Sequence, residues 1–80
     1  MDTRKAVATR LLQLCEERHI TINKLATTAA VPASTLKGIL YGRSKNPGVV
    51  TLKKLCDGLN ITLGEFFSTP EFDNLEQEIK

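Results

Sequence analysis

Between Ile20 and Gly42 the sequence leaves room for two short helices and a tight turn, and for little else. Thr21 is a good N-cap, so a helix is expected from Ile22 to about Ala29, burying Leu25 and Ala26. It has to stop before Pro32, because a proline disfavours helical geometry in the residue ahead of it, here Val31. A second helix is expected from Ala33 to about Tyr41, with Leu36, Ile39 and Leu40 on its apolar side and Gly42 as its C-terminal stop. Two helices so closely joined cross at a large angle, and Ala26 is small enough to sit where they approach. Val31 then plugs the turn into the core, and Leu36 and Ile39 anchor the second helix from below. Ala33, Ser34, Lys37 and Gly38 are left facing outward along a narrow convex edge.

The rest of the chain reads as helix too. Val7, Leu11, Leu14 and Cys15 form one stripe of a first helix, capped by Asp2 or Thr3 and running to about Arg18. The polar, basic segment from Gly42 to Gly48 is the one clear loop. A fourth helix is expected from Val49 to about Leu59, with Leu52, Leu55 and Cys56 on one face. Thr62 and Glu65 are spaced as a capping box, opening a short fifth helix that buries Phe66 and Phe67. Pro70, with Thr69 as cap, is placed to begin a short sixth, whose stripe would be Phe72, Leu75 and Ile79. No segment alternates at strand period. The expected fold is all-α, a compact five-helix body over 1–68 followed by an acidic tail or short sixth helix over 69–80; eighty residues make one domain.

Charge is spread unevenly over this plan. The net charge of +2 resolves into +7 over residues 1–54, where ten Lys and Arg face only Asp2, Glu16 and Glu17, and −5 over residues 55–80. A basic body with an acidic tail points to a polyanionic partner for the body. Cys15 and Cys56 are far apart, and with a single His19 they make neither a zinc site nor a disulfide framework; they read as small buried apolar groups in a reducing cytoplasm. His19 itself reads as a solvent-facing turn residue, and Asp57, Glu65, Glu71 and Asp73 repeat no ligand spacing. With no nucleophile beside a base, no metal set and no phosphate loop, neither an enzyme nor a cofactor is expected. No stretch approaches the roughly 20 apolar residues of a membrane span, and the polar N-terminus is unlike a signal peptide, so the expected location is cytoplasmic, without a membrane partner.

The run Ile20-Thr-Ile-Asn-Lys-Leu-Ala26, then Val31-Pro-Ala-Ser-Thr-Leu-Lys-Gly-Ile-Leu-Tyr-Gly42, resembles the phage repressor and Cro-like helix-turn-helix family. The likeness continues through Asn46-Pro47, Thr51-Leu52, Leu55 and Leu59 to Phe67, and covers about residues 5–67. It implies a lambda-repressor-like domain of five helices with the third in the DNA major groove, a docking geometry known for the class. Carried over by position, Ala33, Ser34, Lys37 and Gly38 would face base edges. Thr21, Thr35, Tyr41, Arg43, Ser44, Lys45 and Asn46 would lie near phosphates. Lys24 joins them on its own chemistry: it sits in the first turn of a helix, where the dipole disfavours a cation and a nearby phosphate would relieve the conflict. The sequence departs from the family in three places. Ala30 stands where most members have a turn Gly, and Pro32 where they have a Ser or Thr N-cap. Cys15 and Leu40 replace an Arg in the first helix and a Glu near the end of the third.

The function these readings imply is sequence-specific regulation of transcription by a prokaryotic homodimer on double-stranded DNA, with Phe72 to Lys80 or the fourth and fifth helices as the dimer contact, and no small-molecule ligand. The alternative from another class is a protein-interaction module of the same fold, an antitoxin or adaptor. The basic loop from Arg43 to Lys45 argues against it, since protein-binding surfaces are depleted in Lys.

Overall fold

Asp2 opens the first helix by accepting, through its side chain, the backbone N–H of Lys5 at 2.7 Å. The computed structural model describes residues 2–44 and 46–79. It contains α1 (Thr3–Glu17), α2 (Ile22–Ala29), α3 (Ala33–Leu40), α4 (Val49–Gly58), α5 (Leu63–Phe67) and α6 (Pro70–Asp73), with no strand among the described residues. Thr21 caps α2 through the N–H of Lys24, and Thr62 and Glu65 close the capping box of α5 in both directions. Pro32 stands at the N-terminus of α3 and offers no side-chain cap.

Three of the helices end by the same device. His19, Ala30 and Asn60 take left-handed backbone angles, with φ of 54°, 56° and 59°, and none of them is glycine. The residue after each is β-branched and apolar, and its N–H reaches back into the helix: Ile20 to Cys15, Val31 to Ala26, Ile61 to Cys56, at 3.0–3.1 Å. This is the Schellman arrangement, in which a reversed turn satisfies orphan carbonyls and drives the next apolar side chain inward. Val31 is buried and Ile20 and Ile61 pack against the core.

That core is continuous across the helices. Leu11, Leu25, Leu36, Ile39, Leu55, Cys56 and Phe66 are fully buried, and no polar side chain is buried among the described residues. α4 packs on α2, α3 on α1 and α2, α5 on α4, and α6 on α1. Cys15 and Leu40, at the positions where an ion pair was missing, both lie in this apolar cluster. Replacing a buried ion pair by apolar contact is commonly neutral or stabilising.

Arg4 and Arg10 on α1, and Arg18 at its C-terminal cap, tie α3, α5 and α4 to it. Arg4 donates to the carbonyl of Ile39 at the end of α3, Arg10 to those of Glu65 and Phe66 in α5, and Arg18 to that of Leu59 at the end of α4. A guanidinium at a helix C-terminus supplies donors to orphan carbonyls and positive charge to the negative end of the dipole.

The C-terminal stripe does not continue as helix. α6 stops at Asp73, and of the three residues only Phe72 meets the aromatic pair of α5, its ring centroid 4.9 Å from that of Phe67 and 6.0 Å from that of Phe66. Leu75 is half-buried and Ile79 is 86% exposed. A longer α6 would bring Glu76 and Glu78 into its last turn, at the end of the dipole that repels them. The tail turns back to α1 instead, where Thr3 Oγ1 donates to Glu78 Oε2 at 2.6 Å.

Candidate nucleic-acid interface

Leu36, Ile39 and Leu40 fasten α3 to the core and leave Ser34, Thr35 and Lys37 exposed, with Ala33 half-buried beside them. Gly38, expected to face outward with these residues, is instead buried. The loop after α3 folds over it: the N–H of Ser44 donates to the Gly38 carbonyl at 2.9 Å, and a Cβ on Gly38 would meet that of Ser44 at 3.8 Å. The Gly38 carbonyl thus holds Ser44 over the helix, and Gly38 offers no outward surface of its own. Lys37 is thereby the only long side chain among the four base-facing candidates.

The loop carries the next group of candidates. Gly42 turns the chain away from α3 at φ +90°, a conformation that favours glycine. Tyr41 is 67% exposed, Arg43 and Asn46 are exposed, and Ser44 is half-buried. Lys45 lies outside the described residues. At the start of α2, Thr21 and Lys24 are exposed; the Thr21 hydroxyl accepts from the N–H of Lys24 at 3.0 Å, which leaves its proton to donate elsewhere. Since α2 packs on α3, and Ser44 sits on Gly38, the structure brings α3 and the loop together as one surface with α2 behind it.

Charge counting merges basic residues that do different things, and Lys5 on α1 and Lys54 on α4 are simply exposed. Arg4, Arg10 and Arg18 serve helix ends, and Lys53 pairs with Asp57 one turn on, the single ion pair among the described residues. Lys24, Lys37 and Arg43 remain exposed on or beside the surface just described. The clearer electrostatic signal is an absence: from Arg18 to Cys56, the stretch that contains α2, α3, the loop and most of α4, the sequence has no Asp or Glu. That run was legible in the sequence and is more specific than the overall asymmetry. The three helix-capping arginines could not be assigned from sequence, because their carbonyl partners lie 35 to 56 residues away.

A capped α2, a tight left-handed turn and an anchored α3 with an exposed outer face define a helix-turn-helix protein. The chain belongs to the Cro/C1-type helix-turn-helix DNA-binding domain family, whose model matches residues 10–71. Over 52 residues it is 40% identical to the HTH-type transcriptional repressor RghR of Bacillus subtilis (strain 168), a match that takes in 65% of this chain and 38% of that protein's length. The fold also superposes on the crystal structure of the prophage Lp1 protein 11 with a TM-score of 0.82, at 34% identity, covering 94% of this chain and 100% of the other. No helix among the described residues is long and apolar enough to cross a membrane.

Proposed function

We propose that this chain is a sequence-specific transcriptional regulator that inserts α3 into the major groove of double-stranded DNA, acting as a homodimer on a near-palindromic operator. The observation that carries the reading is the acid-free stretch from Arg18 to Cys56, which contains the exposed face of α3 and the basic loop. Phosphates are the dominant source of affinity for duplex DNA, and a stretch without carboxylates adds no repulsion of its own toward them. The name of the Bacillus relative, a transcriptional repressor, supports a regulatory role.

Lys37 is the candidate for guanine O6 and N7, Ser34 for a base-edge donor or acceptor, and Ala33 for a thymine methyl. Thr21, Lys24, Thr35, Tyr41, Arg43, Ser44 and Asn46, with Lys45, are the phosphate candidates. Small side chains on α3 leave direct readout thin, so DNA shape carries part of the specificity. A helix of eight residues reads few base pairs. Two copies related by a two-fold axis, reading half-sites about 34 Å apart, supply the rest.

The test is a selection from a random duplex pool followed by fluorescence anisotropy on the enriched sequence and a scrambled control. An enriched inverted repeat, bound tightly and preferentially, is the expected result. If no motif is enriched and the chain binds all duplexes weakly, the reading fails and a protein partner takes its place; the exposed apolar side chains of Tyr41, Val49 and Val50 would be where to look for it.

A further inference from the structure

We propose that Arg4, on α1 and outside the helix-turn-helix, is a positioning residue for DNA recognition: it fixes the C-terminal end of α3 and the turn into the loop that follows. The inference rests on the function proposed above and adds to it a residue that does not belong to the contacting surface.

The last carbonyls of α3 have no partners within the helix. The Lys37 carbonyl accepts from Tyr41 N–H and the Gly38 carbonyl from Ser44 N–H, both at 2.9 Å. The next carbonyl, that of Ile39, accepts from Arg4 Nη1 at 3.3 Å. Gly42 then reverses the chain directly over the guanidinium, since a Cβ on Gly42 would stand 3.8 Å from Arg4 Cζ and Nη1 and 3.9 Å from Nη2. The cation therefore sits under the hinge between α3 and the loop, half-buried, against the negative end of the α3 dipole. Arg4 also lines a groove with Asn46 and Pro47 of the loop, which Asp2 and Glu78 line as well. A planar group with several donors can bond a helix end and lie under a turn at once. The Arg and Glu that the family has in its first and third helices are replaced here by the buried Cys15 and Leu40, and Arg4 makes a polar link between α1 and the end of α3.

Arg4→Ala and Arg4→Lys are compared with the wild type in three measurements: thermal melts, anisotropy on the selected operator across salt, and amide exchange at Tyr41 and Ser44. At a temperature where all three proteins are folded, Arg4→Ala is expected to bind the operator roughly three- to tenfold more weakly, as befits loss of a charge-assisted bond at a helix end. Its log–log salt slope should match the wild type, and the two amides should exchange faster. Arg4→Lys, which keeps the charge, should recover part of the affinity. Unchanged affinity and unchanged exchange in Arg4→Ala would overturn the proposal, and a salt slope shallower by about 0.9 would overturn it in favour of a direct phosphate contact. If the wild type itself binds no duplex, the functional reading fails separately. The exchange rates then still decide whether Arg4 holds the loop: faster exchange retains the positioning role, unchanged exchange removes it.

Discussion

A Cβ on Gly58 would stand 3.0 Å from the Cβ of Ala29 and 3.2 Å from both its Cα and its backbone nitrogen, so the end of α4 meets the end of α2 through a glycine. Two effects oppose each other when Gly58 becomes Ala. Helix propensity favours the change by up to ~1 kcal/mol, less at a helix end. Overpacking against backbone, which cannot rotate away, costs about 1–3 kcal/mol. The steric term wins, and Gly58→Ala should lower the melting temperature. Because Ala29 precedes the turn into α3, the displaced backbone should weaken operator binding too. Gly38 provides the control: a Cβ there meets only Ser44, at an ordinary 3.8 Å, so Gly38→Ala should stabilise the protein by up to ~1 kcal/mol. Thermal melts that moved both variants in the same direction would reject this account of packing.

Ala30 holds φ 56° and ψ 39° in the turn itself. A left-handed L-residue costs roughly 1–2 kcal/mol, while glycine's greater freedom when unfolded takes back about 0.4–1 kcal/mol. Ala30→Gly should therefore raise stability, by up to about 1.5 kcal/mol, the difference between those terms. Asn60, at φ 59°, tolerates the same region better, so Asn60→Gly should gain less. Denaturant midpoints of the two variants check the order, and a larger gain at Asn60 would show that backbone strain is not what separates these turns.

Much of this architecture was legible because its signals are local. The N-caps Asp2, Thr21 and Thr62, the break at Pro32 and the stop at Gly42 each act within four residues, and the bounds of α1 to α4 fell within a residue of expectation. The elements that escaped are set by contacts remote in sequence. Gly38 looked outward on a helical wheel and is covered by Ser44, which only the course of the loop decides. Arg4, Arg10 and Arg18 counted as surface charge until their carbonyl partners on α3, α5 and α4 came into view. The spacing of Phe72, Leu75 and Ile79 suggested a helix, but a short terminal helix with acidic residues in its last turn gains too little to form beyond Asp73.

Acid should weaken the start of α5. Glu65 Oε1 accepts the N–H of Thr62 at 3.0 Å, and that bond, with a further one to the Thr62 side chain, holds the Glu65 carboxyl below its ordinary range. Asp2 is lowered in the same sense, chiefly by the N–H of Lys5. A carboxylate whose folded value lies below its unfolded one contributes stability above the unfolded value and loses it as pH falls through the folded one. The melting temperature should therefore decline on the acid side. Glu65→Gln keeps an acceptor for Thr62 but has no charge to titrate, so its acid limb should be shallower, with the Asp2 share remaining. Superimposable acid limbs for wild type and Glu65→Gln would mean that the capping box contributes nothing to the pH response.

The two kinds of residue on the proposed DNA surface should separate under salt. Lys37 is the long side chain on the exposed face of α3, whereas Arg43 lies on the loop beyond Gly42. A base-edge contact is worth about 1–3 kcal/mol against the wrong base, so Lys37→Ala should erode the preference for operator over scrambled duplex by tenfold or more, as a rough expectation. Arg43→Ala would remove the proposed phosphate contact, which every sequence offers. It should weaken both duplexes alike and make the log–log salt slope shallower by about 0.9. Anisotropy titrations at several salt concentrations distinguish the two patterns. If Lys37→Ala weakened both duplexes equally, Lys37 would be a phosphate ligand, and specificity would fall to Ser34 and the shape of the DNA. Were Arg43→Ala to change preference between the duplexes instead, the loop would be reading sequence and α3 would not be the sole recognition element.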